Sequence, residues 1–312
     1  MEAEVRGREE MTAILRTEDL SRRFGRTPVL DRVTFEVGEG SVYALVGPNG
    51  AGKTTTIKIL MNIIEATAGR AEVLGADSRH LLPQHFARIG YVSENQELPE
   101  WMTVEYFLDY LKPFYPSWDD GRARGLVDQF ALPRSRKLKD LSRGMRMKAA
   151  LVSSLAYRPR LLVLDEPFSG LDPLVRDELI EGLIDSAEET TILISSHDLT
   201  EIESFASHVG YLDQGRLQFS DDMRSLTERF REIEVTLDAP PMLPAEWPPA
   251  WLRAETFSTV VRFVDSRFDE GRTLGEVRRL FGDDARMAVN PMPLRAIFVA
   301  LARSTNRRQT AA

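Results

Sequence analysis

The chain has 312 residues and a formal net charge of −8, with 43% apolar and 28% charged residues. This composition is typical of a globular protein and excludes a disordered chain, and the length suffices for one large domain or two ordinary ones. The excess of acidic over basic residues argues against a general nucleic-acid binder, because such proteins need a basic surface. Cysteine is absent, which excludes disulfide bonds, thiol catalysis and cysteine-held zinc.

The N-terminal segment MEAEVRGREEM is charged and lacks the apolar core of a signal peptide. We expect residues 1–13 to be a flexible N-terminus, with Met11 as an alternative start. No stretch approaches the roughly 18–20 unbroken apolar residues of a membrane-spanning helix. We therefore expect a soluble chain that acts at a membrane, if at all, as a peripheral subunit.

Short apolar runs alternate with helical patterns from residue 14 to about 222. Three runs predict strands most clearly, and two weaker runs resemble them: 41–47 (SVYALVG), 160–166 (RLLVLDE), 191–197 (TILISSH), 88–92 (RIGYV) and 209–215 (VGYLDQG). Continuous apolar runs without alternation are typical of strands buried on both faces of a largely parallel sheet. The intervening helices predict an α/β fold with right-handed crossovers.

A change of composition follows residue 96. Seven aromatic residues lie between Trp101 and Trp118, and no strand pattern appears up to residue 140. We interpret this region, extending to about residue 150, as a helical subdomain inserted into the α/β core.

A second change of composition begins near residue 221. Residues 223–231 predict a linker helix, and a proline-rich loop spans 240–249. The remaining pattern consists of two alternating strand segments and two segments of helical spacing, at 231–237, 259–264, 273–281 and 293–303. We predict a small α+β C-terminal domain over residues 232–312.

Residues 47–54, GPNGAGKT, fit the pattern G-x-x-x-x-G-K-[ST] between a predicted strand and a predicted helix. Glycines let the backbone curl so that N–H groups point at phosphate oxygens, and the helix N-terminus adds partial positive charge. Lys53 is expected to reach the β- and γ-phosphates, and the Thr54 hydroxyl to ligate Mg²⁺. The predicted nucleotide-binding residues are Gly47, Pro48, Asn49, Gly50, Ala51, Gly52, Lys53, Thr54 and Thr55. The alternative is a strand–turn–helix corner with a chance match, which arises in roughly 1% of chains this long.

Asp165 and Glu166 stand where an apolar predicted strand ends. A carboxylate there is costly unless it meets a cation or a hydrogen-bond donor. Asp165 is suited to hold Mg²⁺, directly or through water. Glu166 is suited to act as general base for an attacking water, and its alternative role is a helix cap. Beside Lys53, the two carboxylates predict phosphoryl transfer to water.

Further motifs follow in a fixed order. LSRGM (141–145), LLVLDEP (161–167), SGLDP (169–173) and SSHD (195–198) come after the phosphate loop. With these motifs, residues 14–222 resemble the ATP-binding-cassette (ABC) transporter ATPases, whose fold is a P-loop NTPase core. LSRGM resembles the family's LSGGQ signature and SGLDP its D-loop. His197 takes the place of the switch histidine, and Phe24 that of an aromatic which stacks on adenine.

The resemblance implies a mechanism. Two cassettes pair head to tail, and each ATP lies between one phosphate loop and the other subunit's signature. Ser142 and Gly144 would then contact the γ-phosphate in trans, His197 would contact it and orient the water, and Asp172 would report across the interface. The alternatives are an ordinary strand-end histidine at 197, a core residue at Phe24, and a helix cap at Asp172.

Two departures from the family pattern stand out. The signature has Arg143 and Met145 where the family usually has Gly and Gln, and Arg143 is open to two interpretations, facing solvent or adding charge near the phosphate. Glu94 occupies the slot of the family's Q-loop glutamine, and Gln96 lies two residues later. Because a carboxylate only accepts hydrogen bonds, we predict that Glu94 binds Mg²⁺ or its water, with a plain loop acid as the alternative.

The resemblance also implies partners: a separate membrane permease at the cytoplasmic face of the cell membrane, a second ATPase subunit, identical or different, and no nucleic acid. Trp101, Met102, Tyr106 and Tyr110 are candidate permease contacts, since aromatic residues and Met favour interface cores; the alternative is that they fill the subdomain's own core. We favour a bacterial exporter of a drug, peptide or lipid-like substrate. The alternatives are a soluble ATP-driven machine of the translation or DNA-repair kind, and a nucleotide switch without turnover.

Overall fold

The computed structural model describes residues 13–187, 189–242, 244 and 246–301. The prediction of a flexible N-terminus falls on residues 1–12, outside the described residues, and on Ala13, which begins the first strand. The chain divides into two compact units, Met1–Ser220 and Asp221–Ala312.

The first unit contains ten strands and six α-helices among its described residues. They are β1 (Ala13–Phe24), β2 (Thr27–Gly38), β3 (Val42–Val46), α1 (Lys53–Leu60), β4 (Ala68–Val73), β5 (Ala76–Asp77), α2 (Pro83–Phe86), β6 (Ile89–Ser93), α3 (Val104–Leu111), α4 (Asp120–Gln129), α5 (Arg143–Leu155), β7 (Leu161–Asp165), α6 (Pro173–Ala187), β8 (Thr191–Ser196), β9 (His208–Asp213) and β10 (Arg216–Asp222), whose last two residues lie beyond the unit's boundary.

A six-stranded sheet with the order β10-β9-β3-β8-β7-β6 forms the centre of this unit. Its strands β9, β3, β8, β7 and β6 are parallel to their neighbours. Every residue of β3, β7 and β8 is buried, which agrees with the continuous apolar runs that predicted them. The α/β fold class is confirmed. Because the strands are parallel, the segments that follow β3, β7 and β8 emerge at the same edge of the sheet.

A second sheet, with the order β2-β1-β4-β5, is antiparallel. None of its strands was predicted from the sequence. In β2, Val33, Phe35 and Val37 are buried and alternate with the exposed residues Thr34 and Glu36, as expected for a sheet with one covered face. One hydrophobic core contains buried side chains from both sheets, among them Leu15 and Val33 of the antiparallel sheet and Leu45 and Val163 of the parallel one.

The segment between β6 and β7 is helical. It contains α3, α4 and α5, and residues 96–140 show no strand pairing beyond one isolated bridge between Thr103 and Lys137. Each helix has a side-chain cap at its N-terminus, from Thr103, Asp119 and Ser142 respectively, and such caps satisfy amides that lack an intrahelical partner.

The second unit contains an antiparallel sheet with a helix packed on it. Its elements are α7 (Met223–Arg229), β11 (Arg231–Thr236), β12 (Trp251–Phe257), β13 (Val260–Asp265), α8 (Glu270–Phe281), β14 (Arg286–Pro291) and a helical segment at 294–301. The strand order is β12-β13-β11-β14. Val277 of α8 packs with Ile233, Val235 and Phe263 of the sheet. Within the described part of the chain, no helix is both long enough and apolar enough to cross a bilayer.

Candidate functional site

The phosphate loop joins β3 to α1 and requires glycine at key positions, for its backbone conformation or for lack of space. Gly50 and Gly52 have φ angles of 82° and 108°, a conformation that favours glycine. A Cβ at Gly47 would collide with the carbonyl oxygen of Leu212 in β9. No side chain caps α1 at Gly52, and the first amides of a helix have no intrahelical partner. The loop and this helix start therefore present N–H donors and positive partial charge, which suit a phosphate group.

Lys53 is fixed at the base of this loop. Its side chain is 4% exposed, and its Nζ donates to the carbonyl oxygens of Gly47 at 2.6 Å and Pro48 at 3.2 Å. The same Nζ lies 3.0 Å from Oε1 of Glu166. The structure thus brings the predicted phosphate-binding lysine and the predicted general base into direct contact.

Asp165 is the end of β7 and accepts two hydrogen bonds at one oxygen. Its Oδ1 accepts from the hydroxyls of Thr54 at 3.0 Å and Ser195 at 2.7 Å. Burial raises the pKa of Asp165, and these two hydrogen bonds oppose that shift. The Ser195 hydroxyl oxygen also accepts from the backbone N–H of Glu166 at 2.9 Å. Ser195 therefore joins both acidic residues, a role that was not predicted although Ser195 belongs to the SSHD motif.

The Glu166 carboxylate lies between two cationic or potentially cationic groups. Its Oε2 is 2.7 Å from Nδ1 of His197, while Oε1 faces Lys53. The residue has a φ of 53°, a strained conformation for a non-glycine residue that is found preferentially at functional sites. The next helix, α6, is capped by Asp172, whose Oδ1 accepts from Val175 N at 3.1 Å. The geometry thus gives the capping role to Asp172 and leaves Glu166 facing the phosphate loop.

His197 follows β8 and is 41% exposed. The hydrogen bond with Glu166 raises the pKa of His197 above its ordinary value of 6.5, and partial burial opposes that shift. A histidine whose folded pKa is raised stabilises the protein fully below about pH 6.5, and this stabilisation is lost as the pH rises through the folded pKa.

We expect Glu166→Gln to lower the pKa of His197 toward its ordinary value, because the amide removes the negative charge. A proton NMR titration of the imidazole signals measures this directly, with the other three histidines as internal references. The stability difference between wild type and variant should also shrink as the pH rises from 6.5 through the raised pKa of His197. An unchanged His197 titration in the variant would show that the contact does not exist in solution.

A further carboxylate, Glu201, was not predicted from the sequence and lies in the short helical turn that follows His197. It is 8% exposed, and its Oε2 accepts from the Ser196 hydroxyl at 2.7 Å. Burial raises the pKa of Glu201. The carbonyl of Ser196 accepts from Gly47 N at 3.3 Å, so Ser196 connects Glu201 to the phosphate loop.

Phe24 lies at the end of the β1–β2 hairpin, opposite Thr27. Its side chain is 48% exposed, which argues against the alternative of a core residue, and the Arg22 guanidinium lies 4.5 Å from its ring centroid. Farther along β2, Leu30 approaches Gly52 so closely that a Cβ there would lie 2.5 Å from its Cδ2. An exposed aromatic ring on a hairpin whose second strand packs against the phosphate loop through Leu30 is compatible with base stacking.

The signature segment begins α5. Ser142 is exposed, and its Oγ accepts from Met145 N at 3.2 Å. Gly144 is buried, and a Cβ there would lie 2.6 Å from Cγ1 of Val175 in α6. The structure therefore explains the glycine by close packing of α5 on α6. The contact of Ser142 and Gly144 with a second subunit's nucleotide stays a prediction.

The two departures in the motifs turn out to be partners. Oε1 of Glu94 accepts from Nη2 of Arg143 at 2.7 Å and from Oγ of Ser169 at 2.8 Å. The Arg143 side chain is 52% exposed, but its guanidinium is paired with Glu94, so it adds no unpaired charge beside the phosphate loop. The backbone N–H of Glu94 donates to the carbonyl oxygen of Asp165 at 2.9 Å. Glu94 thus lies next to the acidic strand end, with its carboxylate turned toward α5.

An open groove of about 870 Å³ lies between the segment that follows β6 and the start of α5. Its lining comes from residues 93–98 and 100, and from Leu138, Leu141, Arg143, Arg146, Met147 and Ala150. Of the predicted permease contacts, Trp101, Tyr106 and Tyr110 are 64%, 50% and 49% exposed. Met102 is 4% exposed, so the prediction that it contacts a partner is wrong.

A parallel sheet with a phosphate loop after β3, a buried acidic end on β7 and a polar strand end on β8 defines a P-loop nucleoside triphosphatase. The family model described as "ABC transporter" matches residues 30–169. The chain is 30% identical to the ABC transporter ATP-binding protein YtrB of Bacillus subtilis (strain 168), over 72% of this chain and 77% of that protein. It is 36% identical to the daunorubicin resistance ATP-binding protein DrrA2 of Streptomyces coeruleorubidus, over 65% of each.

Among solved structures, the chain is similar to an ATP-binding subunit of an ABC transporter, with a TM-score of 0.64 and 30% identity over 69% of this chain and 92% of that one. The chain therefore belongs to the ABC transporter family. It is an ATP-binding subunit, and the members of this family hydrolyse ATP to drive transport.

Proposed function

We propose that this chain hydrolyses ATP as one of two cassettes in a dimer and that it powers a separate membrane permease which exports its substrate. The observation that carries the proposal is that the Glu166 carboxylate, beside the phosphate loop, contacts Lys53 through one oxygen and His197 through the other. These residues provide phosphate binding, a base and an orienting group within one site.

The donor set near Asp165 fits Mg²⁺. The Thr54 hydroxyl and the Asp165 carboxylate are hard oxygen ligands and already lie 3.0 Å apart, and Mg²⁺ in nucleotide sites is bound by a hydroxyl, carboxylates and phosphates. When bound, the ion would neutralise part of the charge on the phosphates. We assign these two residues to hold it.

In the proposed reaction, the loop N–H groups and Lys53 bind the phosphates. Glu166 accepts a hydrogen bond from the attacking water, since each carboxylate oxygen keeps a lone pair beyond its present contact. The water oxygen bonds to the γ-phosphorus, the bond to the β–γ bridging oxygen breaks, and the water proton passes to Glu166. His197 holds the carboxylate through Oε2 and reaches toward the γ-phosphate.

The dimer supplies the remaining contacts. Ser142 and the first turn of α5 present a hydroxyl and helix N-terminal amides, which suit the γ-phosphate of the nucleotide on a second cassette. ATP then stabilises the closed dimer and hydrolysis removes that stabilisation, so the difference in binding free energy drives a movement.

The groove between residues 93–98 and the start of α5 is the surface that we assign to a short helix of the permease. Trp101 directly follows Glu100, a lining residue of the groove. The ring centroids of Trp101 and Tyr106 lie 5.7 Å apart, and the two rings provide exposed aromatic surface of the kind that anchors interfaces. This assignment places the chain at the cytoplasmic face of the membrane.

Relatives support export of a drug-like or peptide substrate. They include proteins described as serving bacitracin transport in Enterococcus faecalis and daunorubicin resistance in Streptomyces coeruleorubidus. By analogy we propose a drug, peptide or lipid-like substrate here. No observation on the described residues specifically favours a soluble translation or DNA-repair machine.

Purification of the tagged chain from a detergent extract of its native host tests the permease assignment. We expect a polytopic membrane protein in stoichiometric amount, and we expect Trp101→Ala/Tyr106→Ala to reduce its recovery several-fold. Phe257→Ala is the matched control, because Phe257 is 56% exposed but lies in the second unit. Recovery of ribosomes or DNA in place of a membrane protein would contradict the proposal.

A further inference from the structure

One carboxylate oxygen joins three separate segments of the first unit. Oε1 of Glu94, after β6, accepts from Arg143, the first residue of α5, and from Ser169, which follows the acidic end of β7. We call these three residues the 94–143–169 junction. A carboxylate oxygen with two donors, one of them a guanidinium, is a charge-assisted and directional contact.

Two members of the junction are anchored to the acidic strand end by their backbones. Glu94 N donates to the carbonyl oxygen of Asp165 at 2.9 Å, and Ser169 N donates to that of Glu166 at 3.2 Å. The side chains of Glu94 and Ser169 therefore have fixed origins relative to the catalytic carboxylates. Arg143 is the member that belongs to the helical segment.

The guanidinium of Arg143 also packs against a glycine. Gly170 has a φ of 65°, and a Cβ there would lie 2.9 Å from Nη1 of Arg143. The guanidinium thus lies against a glycine that leaves room for it, while its Nη2 bonds to Glu94. Both contacts hold the start of α5 against the chain that follows Glu166.

The start of α5 carries Ser142 and Gly144. The Ser142 hydroxyl oxygen caps the helix through Met145 N, and its carbonyl accepts from Arg146 N at 2.9 Å. Because Arg143 is the first residue of α5, the contacts that hold Arg143 also fix the direction in which the N–H groups of the first turn point.

We propose that Glu94 is a positioning residue, and that through the junction it holds the first turn of α5 in one orientation relative to Glu166. In this chain Glu94 and Arg143 then form one functional unit, and Glu94 does not serve as a magnesium ligand. The consequence for ATP turnover rests on the proposed function; the consequence for the order of α5 does not.

Hydrogen exchange in the nucleotide-free protein tests the proposal. We expect Glu94→Gln and Arg143→Ala each to speed exchange at the amides of Met145 and Arg146 by about two- to fivefold, the range for a partly exposed ion pair. The matched control is the start of α4, where Asp119 caps Arg122 N and its carbonyl accepts from Ala123 N. Exchange there should not change.

The double variant and a conservative variant sharpen the test. Glu94→Gln/Arg143→Ala should exchange no faster than Arg143→Ala alone, because both changes remove the same contact. Arg143→Lys keeps the charge that faces Glu94 but loses the guanidinium that packs on Gly170, so its exchange should lie between that of the wild type and that of Arg143→Ala. Multiplicative effects in the double variant, or unchanged exchange in both single variants, would overturn the proposal.

Steady-state kinetics separates positioning from metal binding. We expect kcat to fall by about two- to fivefold in both single variants, with the KM for ATP and the half-saturating Mg²⁺ concentration within about twofold of wild type. A Glu94→Gln variant that needs about tenfold more Mg²⁺, while Arg143→Ala does not, would assign Glu94 to the metal and refute the inference. If the wild type shows no turnover, the proposed function fails and the exchange data still decide on the junction.

Discussion

Glu166→Gln is expected to lower ATP turnover by about a thousandfold while nucleotide binding is retained, within the range that a general base contributes. Glutamine keeps the size of the side chain and an oxygen that accepts a hydrogen bond, but it does not take up the proton of the attacking water. Lys53 and Thr54 are untouched, so ATP and Mg²⁺ should still bind. Phosphate release assays and a fluorescent ATP analogue measure the two properties separately.

The same variant should accumulate as a dimer. If hydrolysis is what separates two cassettes, a subunit that binds ATP but does not hydrolyse it stays closed, and size-exclusion chromatography with ATP and Mg²⁺ should show the dimer. Glu181→Gln is the matched control, because Glu181 is an exposed carboxylate of α6. A Glu166→Gln protein with wild-type turnover, or one that stays monomeric while the wild type dimerises, would contradict the assigned role.

The parallel sheet and the phosphate site were predictable because their signals are local. Strand β3 is apolar throughout and β7 is apolar up to its last residue, Asp165, and Gly47–Thr54 form one contiguous motif whose geometry follows from a strand, a turn and a helix start. Asp165 and Glu166 follow from the same reasoning, since a carboxylate at a buried strand end requires a partner. In each case a few consecutive residues determine the structure.

The antiparallel sheet of the first unit was not predicted, because irregularities in β1 and β2 disturb the alternation of buried and exposed residues. Strand β1 shifts register against β2 at several points, and Asp19 and Arg32 have φ angles of 45° and 52°. A bulge moves the following side chains to the opposite face, so the period of two is interrupted within each strand. Only the end of β2 keeps a clean pattern, from Val33 to Val37.

The Glu94–Arg143 pair was missed for a different reason. The two residues are 49 positions apart in the sequence and belong to different elements, and each one alone looked like a departure from a motif. Their pairing depends on how α5 packs beside β6 and β7, which local patterns do not encode. The bridging role of Ser195 likewise depends on the register of β7 against β8.

Lys53→Ala is expected to weaken ATP binding at least about a hundredfold, or about 2.7 kcal/mol. Lys53 is buried and supplies a cation at the base of the phosphate loop, and a charge-assisted hydrogen bond to a phosphate is among the stronger polar contacts. Isothermal titration calorimetry with ATP and Mg²⁺ measures the loss. Lys137→Ala is the control, since Lys137 is an exposed lysine of the helical region.

The variant has a second consequence that separates binding from folding. Without Lys53, the Glu166 carboxylate, which is 12% exposed, keeps His197 as its remaining charged partner, and a buried charge that loses one partner destabilises the folded state. A thermal melt without nucleotide should show this loss. It should be smallest at pH below about 6.5, where His197 is protonated and pairs with Glu166. A Lys53→Ala protein that binds ATP as tightly as the wild type would refute the assignment of the phosphate loop.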